Sequence, residues 1–119
     1  MMTINHLNLV VSDVGRSLDL FETSFGFVRE QIKGNNAIAI LTNSAGFTLV
    51  LMNGDDSYPR NFHFGFFVES IDEVEAIHRR LGHLIEPGNK PAQIRDTYGF
   101  YFHFDGLLIE VGHRLIPTT

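Results

Sequence analysis

The sequence predicts an α+β domain of two tandem βαβββ modules whose sheets curl into an open cup. Two observations carry that expectation. The first is an internal repeat: a shift of 57 residues lays INHLNLVVSDV, Ile4 to Val14, on NFHFGFFVESI, Asn61 to Ile71, so that His6 falls on His63, Val11 on Val68 and Val14 on Ile71. The second is the order of patterns: in each copy the strand-like stretch runs into a helical periodicity and then into two strands broken at a short glycine turn. A further shift, of 60 residues, lays SAGFTLVL over the chain from Phe104 onward, so that Gly46 meets Gly106 and Val50 meets Glu110. Module one then spans about residues 1–54 and module two about 60–114 of one domain, 1–119.

Each element has a local reason. In the first copy, Asp13 or Ser12 can cap a helix in which Leu18, Phe21 and Phe25 recur at helical spacing before Gly26. In the second, Ser70 and Glu73 form a capping box. Val74, Ile77 and Leu81 follow on one face, and Gly82 is the stop. Strands are expected at Ala37 to Thr42, Phe47 to Met52, Gly99 to Phe104 and Leu107 to Val111. Loops are expected at Lys33 to Asn36, Asn53 to Asn61 and Glu86 to Arg95, each marked by Gly, Pro, Asn or Asp.

Composition narrows the function. A chain of 119 residues can bury roughly two-thirds of its unfolded surface. It has no cysteine, which excludes disulfides, thiolate metal sites and a cysteine nucleophile, so any metal must be held by His, Asp or Glu. The net charge is -5 and, apart from the Arg79–Arg80 pair, the basic residues are scattered singly, which leaves no stripe for a phosphate backbone and argues against nucleic acid. The start lacks the basic flank and cleavage site of a signal peptide, and no apolar run approaches the roughly 18 residues of a membrane span. A cytoplasmic protein with no membrane partner is the expectation.

Side chains alternate along a strand, which sorts the candidate residues by face. Phe62, Phe64, Phe66 and Val68 share one side of their strand, and His63, Gly65 and Phe67 the other. Leu7, Leu9 and Val11 similarly oppose His6, Asn8 and Val10. If Asp105-Gly106 is a two-residue hairpin turn, Tyr101 faces Glu110, and both lie with His103 and Leu108 away from the apolar set Phe100, Phe102, Phe104, Leu107, Ile109 and Val111. The apolar faces pack under the helices, and His6, His63 and Glu110 look the other way.

Two imidazoles and a carboxylate on one face can form a facial triad for Fe, Mn, Zn or Ni, one divalent ion per site, with positions left open for substrate. Glu110 in a Phe-rich sheet would otherwise be costly or take up a proton. Read singly, each histidine is more simply a core residue bonded to backbone, and Glu110 a side chain reaching to the rim; the repeat relation and Glu110 together favour the metal. Asn8 is a candidate partner of a ligand or a polar group on a wet cavity. His103 could serve as an acid or base, or bond water at the rim. Lys90 and Arg95 could hold an anionic substrate, or be solvated. His78 and His83 read as surface residues, and His113 as a chain-end residue.

HLNLVVSDVGRSLDLFETSFGF, HFGFFVES and GFYFHFDGLLIEV together resemble the vicinal oxygen chelate superfamily, which includes glyoxalases, bleomycin-resistance proteins and dioxygenases, over nearly the whole chain. The resemblance implies metal ligands on the first and last strands of each half, which map onto His6, Val50, His63 and Glu110. Valine cannot ligate. That weakens the glyoxalase I and epimerase activities and fits three-ligand members better, the thiol transferases that modify fosfomycin and the extradiol dioxygenases. The serine positions that help hold fosfomycin fall near Arg95 and Gly99 and are not serines, and extradiol enzymes usually have about twice this length. The resemblance also implies a homodimer and Tyr101 as a substrate contact; the site forms either within one chain or, where both subunits complete the cup as in many relatives, with His6 from one chain and His63 with Glu110 from the other. Tyr101 and His103 are thus the expected catalytic pair, and Asn8, Val50, Phe67 and Arg95 the expected substrate contacts. The function implied is a metal-dependent enzyme on a small molecule with vicinal oxygens; the alternative is a metal-free protein that sequesters an antibiotic or other flat ligand.

Overall fold

The computed structural model describes residues 2–55 and 57–115. The chain divides into two units, Met1–Ser57 and Tyr58–Thr119. In the first, β1 (His6–Val11) leads into α1 (Val14–Ser24), then β2 (Val28–Lys33), β3 (Ile38–Thr42) and β4 (Thr48–Asn53). In the second, β5 (Phe64–Phe67) leads into α2 (Ile71–Leu81), then β6 (Ala92–Ile94), β7 (Thr97–Phe104) and β8 (Leu107–Arg114). Each unit is thus a βαβββ module with one four-stranded sheet, ordered β1-β4-β3-β2 and β5-β8-β7-β6. The first strand of each module pairs parallel with the last, and the others are antiparallel.

The helices begin where the capping chemistry sits. Asp13 Oδ1 accepts from the Arg16 amide at 3.0 Å, so Asp13 rather than Ser12 caps α1. Ser70 Oγ accepts from the Glu73 amide at 3.1 Å and donates to Glu73 Oε1 at 3.4 Å. Gly26 (φ 73°) and Gly82 (φ 53°) follow the helices in the left-handed region, where a Cβ would be strained. Asp105 (φ 50°) and Gly106 (φ 80°) both take positive φ, the geometry of the two-residue turn whose twist suits a hairpin. The turn fixes the register as expected: Phe104 pairs with Leu107, Phe102 with Ile109 and Tyr101 with Glu110.

Burial follows the alternation. Leu9 and Val11 of β1, Leu49 and Leu51 of β4, and Ala39 and Leu41 of β3 form one core with Leu18 and Phe21 of α1. Phe100, Phe102, Phe104, Leu107, Ile109 and Val111 form the other, with Val74, Ile77 and Leu81 of α2. Phe62, Phe64 and Phe66, whose apolar side is expected to be fully covered, are only half-buried; Phe62 stacks on Tyr58 with centroids 4.9 Å apart.

Two strands depart from the expected loops. Lys33 ends β2, and Ala92–Ile94 forms β6 inside the stretch expected as a loop from Glu86 to Arg95. Both are edge strands with every residue exposed, so neither has a buried face to impose an apolar alternation. Within the expected loop Asn53 to Asn61, Asp56 lies outside the described residues. No helix among the described residues is long and apolar enough to cross a membrane.

Candidate metal and substrate site

In the second unit, β5, β7 and β8 bring His63, Tyr101 and Glu110 together on the face away from α2. Tyr101 and Glu110 are opposite each other in the β7–β8 ladder, and Glu110 is level with Gly65 in the parallel β5–β8 ladder. His63 immediately precedes β5. Its Nε2 lies 3.8 Å from Glu110 Oε1, and its ring stands edge-on to that of Tyr101 with centroids 5.4 Å apart. Gly65 makes this possible. A Cβ there would come within 2.7 Å of the Glu110 carbonyl oxygen and 2.8 Å of Glu110 Cβ.

The hydrogen bonds orient His63. Its Nδ1 sits 3.1 Å from the carbonyl oxygen of Asn61, which can only accept, so Nδ1 carries the hydrogen and the neutral ring presents a bare Nε2. At 3.8 Å, Nε2 and the Glu110 oxygen are too far apart for a good hydrogen bond. Two donors bonded to one tetrahedral or octahedral first-row cation at about 2.1 Å each lie about 3.0–3.4 Å apart, so this pair would close by roughly half an ångström around an ion. The donor types of this pair, an imidazole nitrogen and a carboxylate oxygen, are ones that hold divalent metals. Beside them, partial desolvation, then the negative charge of Glu110 and a hydrogen bond to it, hold the phenol of Tyr101 above its ordinary value.

The expected third ligand belongs to the other unit. His6 is exposed on β1, with Nδ1 2.9 Å from Asn5 Oδ1. Asn8 pairs with Val50 and directs Nδ2 toward Met52 Sδ at 3.8 Å, rather than toward a histidine. Val50 is half-buried on the same face as Asn8. Among the described residues, no three His, Cys, Asp or Glu side chains gather into a group that could hold a metal ion.

Other expected residues sort into separate hollows. Arg95, at the β6–β7 turn with φ 57°, lines a hollow of about 350 Å³ with Ile94, Asp96, Thr97, Tyr101 and Glu110. His103 lines a different hollow, of about 360 Å³, with Glu86, Asn89, Leu108 and Tyr101. Tyr101 thus borders both. Lys90, paired with Arg95 in the sequence reading, lies in a third concavity beside Glu75, His78 and Tyr98. Phe67 is 58% exposed, with the Arg114 guanidinium 5.2 Å from its ring centre.

Two histidines differ from expectation. His78 is half-buried, not a surface residue: Nε2 donates to the Asn89 carbonyl at 2.7 Å, and the ring stands edge-on to Phe100 at 5.0 Å. His113 is no loose chain end, since its Nδ1 donates to the Val68 carbonyl at 2.9 Å and ties β8 to the end of β5. Sequence reasoning also missed Asn89, whose side chain holds the Tyr101 carbonyl. A backbone acceptor leaves no residue-type signature by which to find it.

The Glyoxalase/Bleomycin resistance protein/Dioxygenase superfamily model matches residues 3–111. The chain belongs to this superfamily. A possible glyoxalase from Bacillus cereus is 38% identical, with a TM-score of 0.77 over 93% of this chain and 98% of that one. The fosfomycin resistance protein FosX of Listeria monocytogenes shares the fold at 21% identity, with a TM-score of 0.74 over 95% of this chain and 93% of that one. A FosX mutant complexed with Mn(II) and 1S,2S-dihydroxypropylphosphonic acid has a TM-score of 0.72 at 21% identity, over 98% of this chain and 92% of that one. No curated protein sequence matches the chain.

Proposed function

We propose that this superfamily member is a metal-dependent enzyme acting on a small molecule with adjacent oxygen atoms. The observation that carries the reading is the pairing of Glu110 with a His63 whose Nδ1 is committed to the Asn61 carbonyl, which leaves Nε2 and a carboxylate oxygen 3.8 Å apart beside Tyr101. His63, Glu110 and His6 would hold one divalent ion, Fe, Mn, Zn or Ni. His6 comes from the partner subunit of a homodimer. Bound there, the ion would supply Lewis acidity toward the substrate's oxygens.

The chain's own residues would do the rest. Tyr101 would donate a hydrogen bond to a substrate oxygen. Arg95 meets an anionic end of the substrate from the same hollow. His103, across Tyr101 in the adjoining hollow, takes or returns a proton. Asn8, Val50 and Phe67 would be the remaining substrate contacts.

The test needs no known substrate. Protein purified without added ions, and His63→Ala beside it, are assayed for metal and for the change in Tm with Mn(II), Fe(II), Zn(II) or Ni(II). The wild type should be stabilised by about 2.7 kcal/mol at a free ion concentration near 100 times Kd, and His63→Ala should not. Mixing His6→Ala with Glu110→Ala subunits should restore part of the metal binding, because one of the two sites in a mixed dimer would be intact. An unresponsive wild type would sink the enzyme reading. The exposed aromatic surface of Phe67 and Tyr101 would then favour metal-free capture of a flat ligand.

A further inference from the structure

We infer that Asn89 is a positioning residue for Tyr101, seated in turn by His78 on the opposite side of the sheet. The argument starts at the edge of β7. Its ladder with β6 runs only from the Ile94–Thr97 pair to the Ala92–Gly99 pair. Past Gly99, β7 has β8 on one side and no strand on the other, and Tyr101 lies on this open stretch. An unpaired edge leaves carbonyls without partners and the strand free to twist.

Asn89 supplies the missing rung. Its Nδ2 donates to the Tyr101 carbonyl oxygen at 2.8 Å, where a longer β6 would have donated a backbone N–H. Asn89 is itself held from two directions: its backbone amide donates to the Glu86 carbonyl at 3.0 Å, and its own carbonyl accepts from His78 Nε2 at 2.7 Å. His78 is fixed within α2, and its ring stands edge-on to Phe100, 5.0 Å between centroids. The path from the helix to the strand edge is therefore His78, Asn89, Tyr101.

The side chain of Tyr101 is what this path would set. Its ring is the wall shared by the two hollows and lies edge-on to His63 at 5.4 Å. Loss of the Asn89 bond frees the Tyr101 carbonyl, and a small change in the twist of β7 there swings the ring relative to His63. Asn89 acts through the backbone of Tyr101 and touches neither His63 nor Glu110 in doing so. The consequence for catalysis rests on the reading of Tyr101 as a substrate contact, but the positioning itself does not.

The test uses metal-free protein with ring-labelled tyrosine, so it stands whether or not the chain binds metal. Solution NMR follows the cross-peak between the rings of Tyr101 and His63, assigned with Tyr101→Phe, against the resonances of Tyr58 and Tyr98 as internal references. Asn89→Ala should abolish or halve the cross-peak while the reference signals stay in place. Asn89→Asp, the same size but unable to donate, should do the same; it separates the hydrogen bond from packing and covers the case in which the alanine variant fails to fold. His78→Ala should weaken the cross-peak, and His78→Gln, which keeps a donor, should restore most of it. An unchanged cross-peak in Asn89→Asp, or loss of all three tyrosine signals together in both Asn89→Asp and His78→Ala, would overturn the inference.

Discussion

The two modules share a scaffold and differ in what one rung of it carries. In the first, the parallel pair β1–β4 sets Leu7 beside Leu49 and Asn8 beside Val50. In the second, β5–β8 sets Phe64 beside Ile109 and Gly65 beside Glu110. These are the same positions of the repeat. The rung that carries a side chain on both strands of module one carries, in module two, a carboxylate opposite a glycine with no Cβ to obstruct it. His6 and His63 each stand one turn of the pleat away from that rung. The duplicated fold therefore repeats a histidine in both modules, and only the rung of module two adds a carboxylate beside it.

The largest effects should be shared by both modules. Leu49 is 2% and Ile109 0% exposed, and they are equivalent core positions. Leu49→Ala and Ile109→Ala should each cost about 2–5 kcal/mol in urea unfolding. A cost confined to one of them would break the equivalence of the scaffolds. Gly65→Ala should separate the modules: a Cβ within 2.7 Å of backbone forces β5 away from β8, at about 1–3 kcal/mol, and displaces Glu110 from His63. Asn8→Ala, on the corresponding rung, should stay within about 0.5 kcal/mol, since its only described partner is the Met52 sulfur.

Much of this scaffold was legible in the sequence because it is written in local rules. Asp105-Gly106 imposes its own turn and hence the Tyr101–Glu110 pairing, and the apolar alternation of β7 and β8 survives because α2 covers one face. β2 and β6 escaped notice because an exposed edge strand buries neither face. His78 and His113 were misplaced because their partners are the carbonyls of Asn89 and Val68, and any residue could supply those. The match of Gly65 to Glu110 depends on a parallel register between strands remote in sequence, which no turn dictates. The repeat relates His63 and Glu110 to their counterparts, but the separation of Arg95, His103 and Lys90 into different hollows follows from the tertiary fold, which no local pattern encodes.

Smaller effects probe the helices. Asp13→Ala and Ser70→Ala each remove one capping acceptor and should each cost about 1 kcal/mol, measured by thermal unfolding. A Ser70→Ala effect well above that would show that the second arm, to Glu73, also counts. The smallest effect appears only in alkali. The Tyr98 hydroxyl donates to Glu75 Oε2 at 2.7 Å, and that bond first, with some desolvation, holds its phenol above the ordinary 10.0. A group whose folded pKa is raised contributes stability in full below the unfolded value and loses it as pH climbs through the folded one. Wild type should therefore lose slightly more stability than Tyr98→Phe between about pH 9 and 11.

The difference between the two rungs is tested most directly by calorimetric titration of Zn(II) or Mn(II) into the wild type, Glu110→Gln and Val50→Ala. The wild type should take up about one ion per chain. Glu110→Gln keeps the shape but removes the charge, and should weaken binding by more than the roughly tenfold to hundredfold that changes outside the ligand set produce. Val50→Ala should bind as the wild type does. If Glu110→Gln holds the ion as tightly as the wild type, the metal is not on the rung that distinguishes module two, and the site assigned to His63 and Glu110 is wrong.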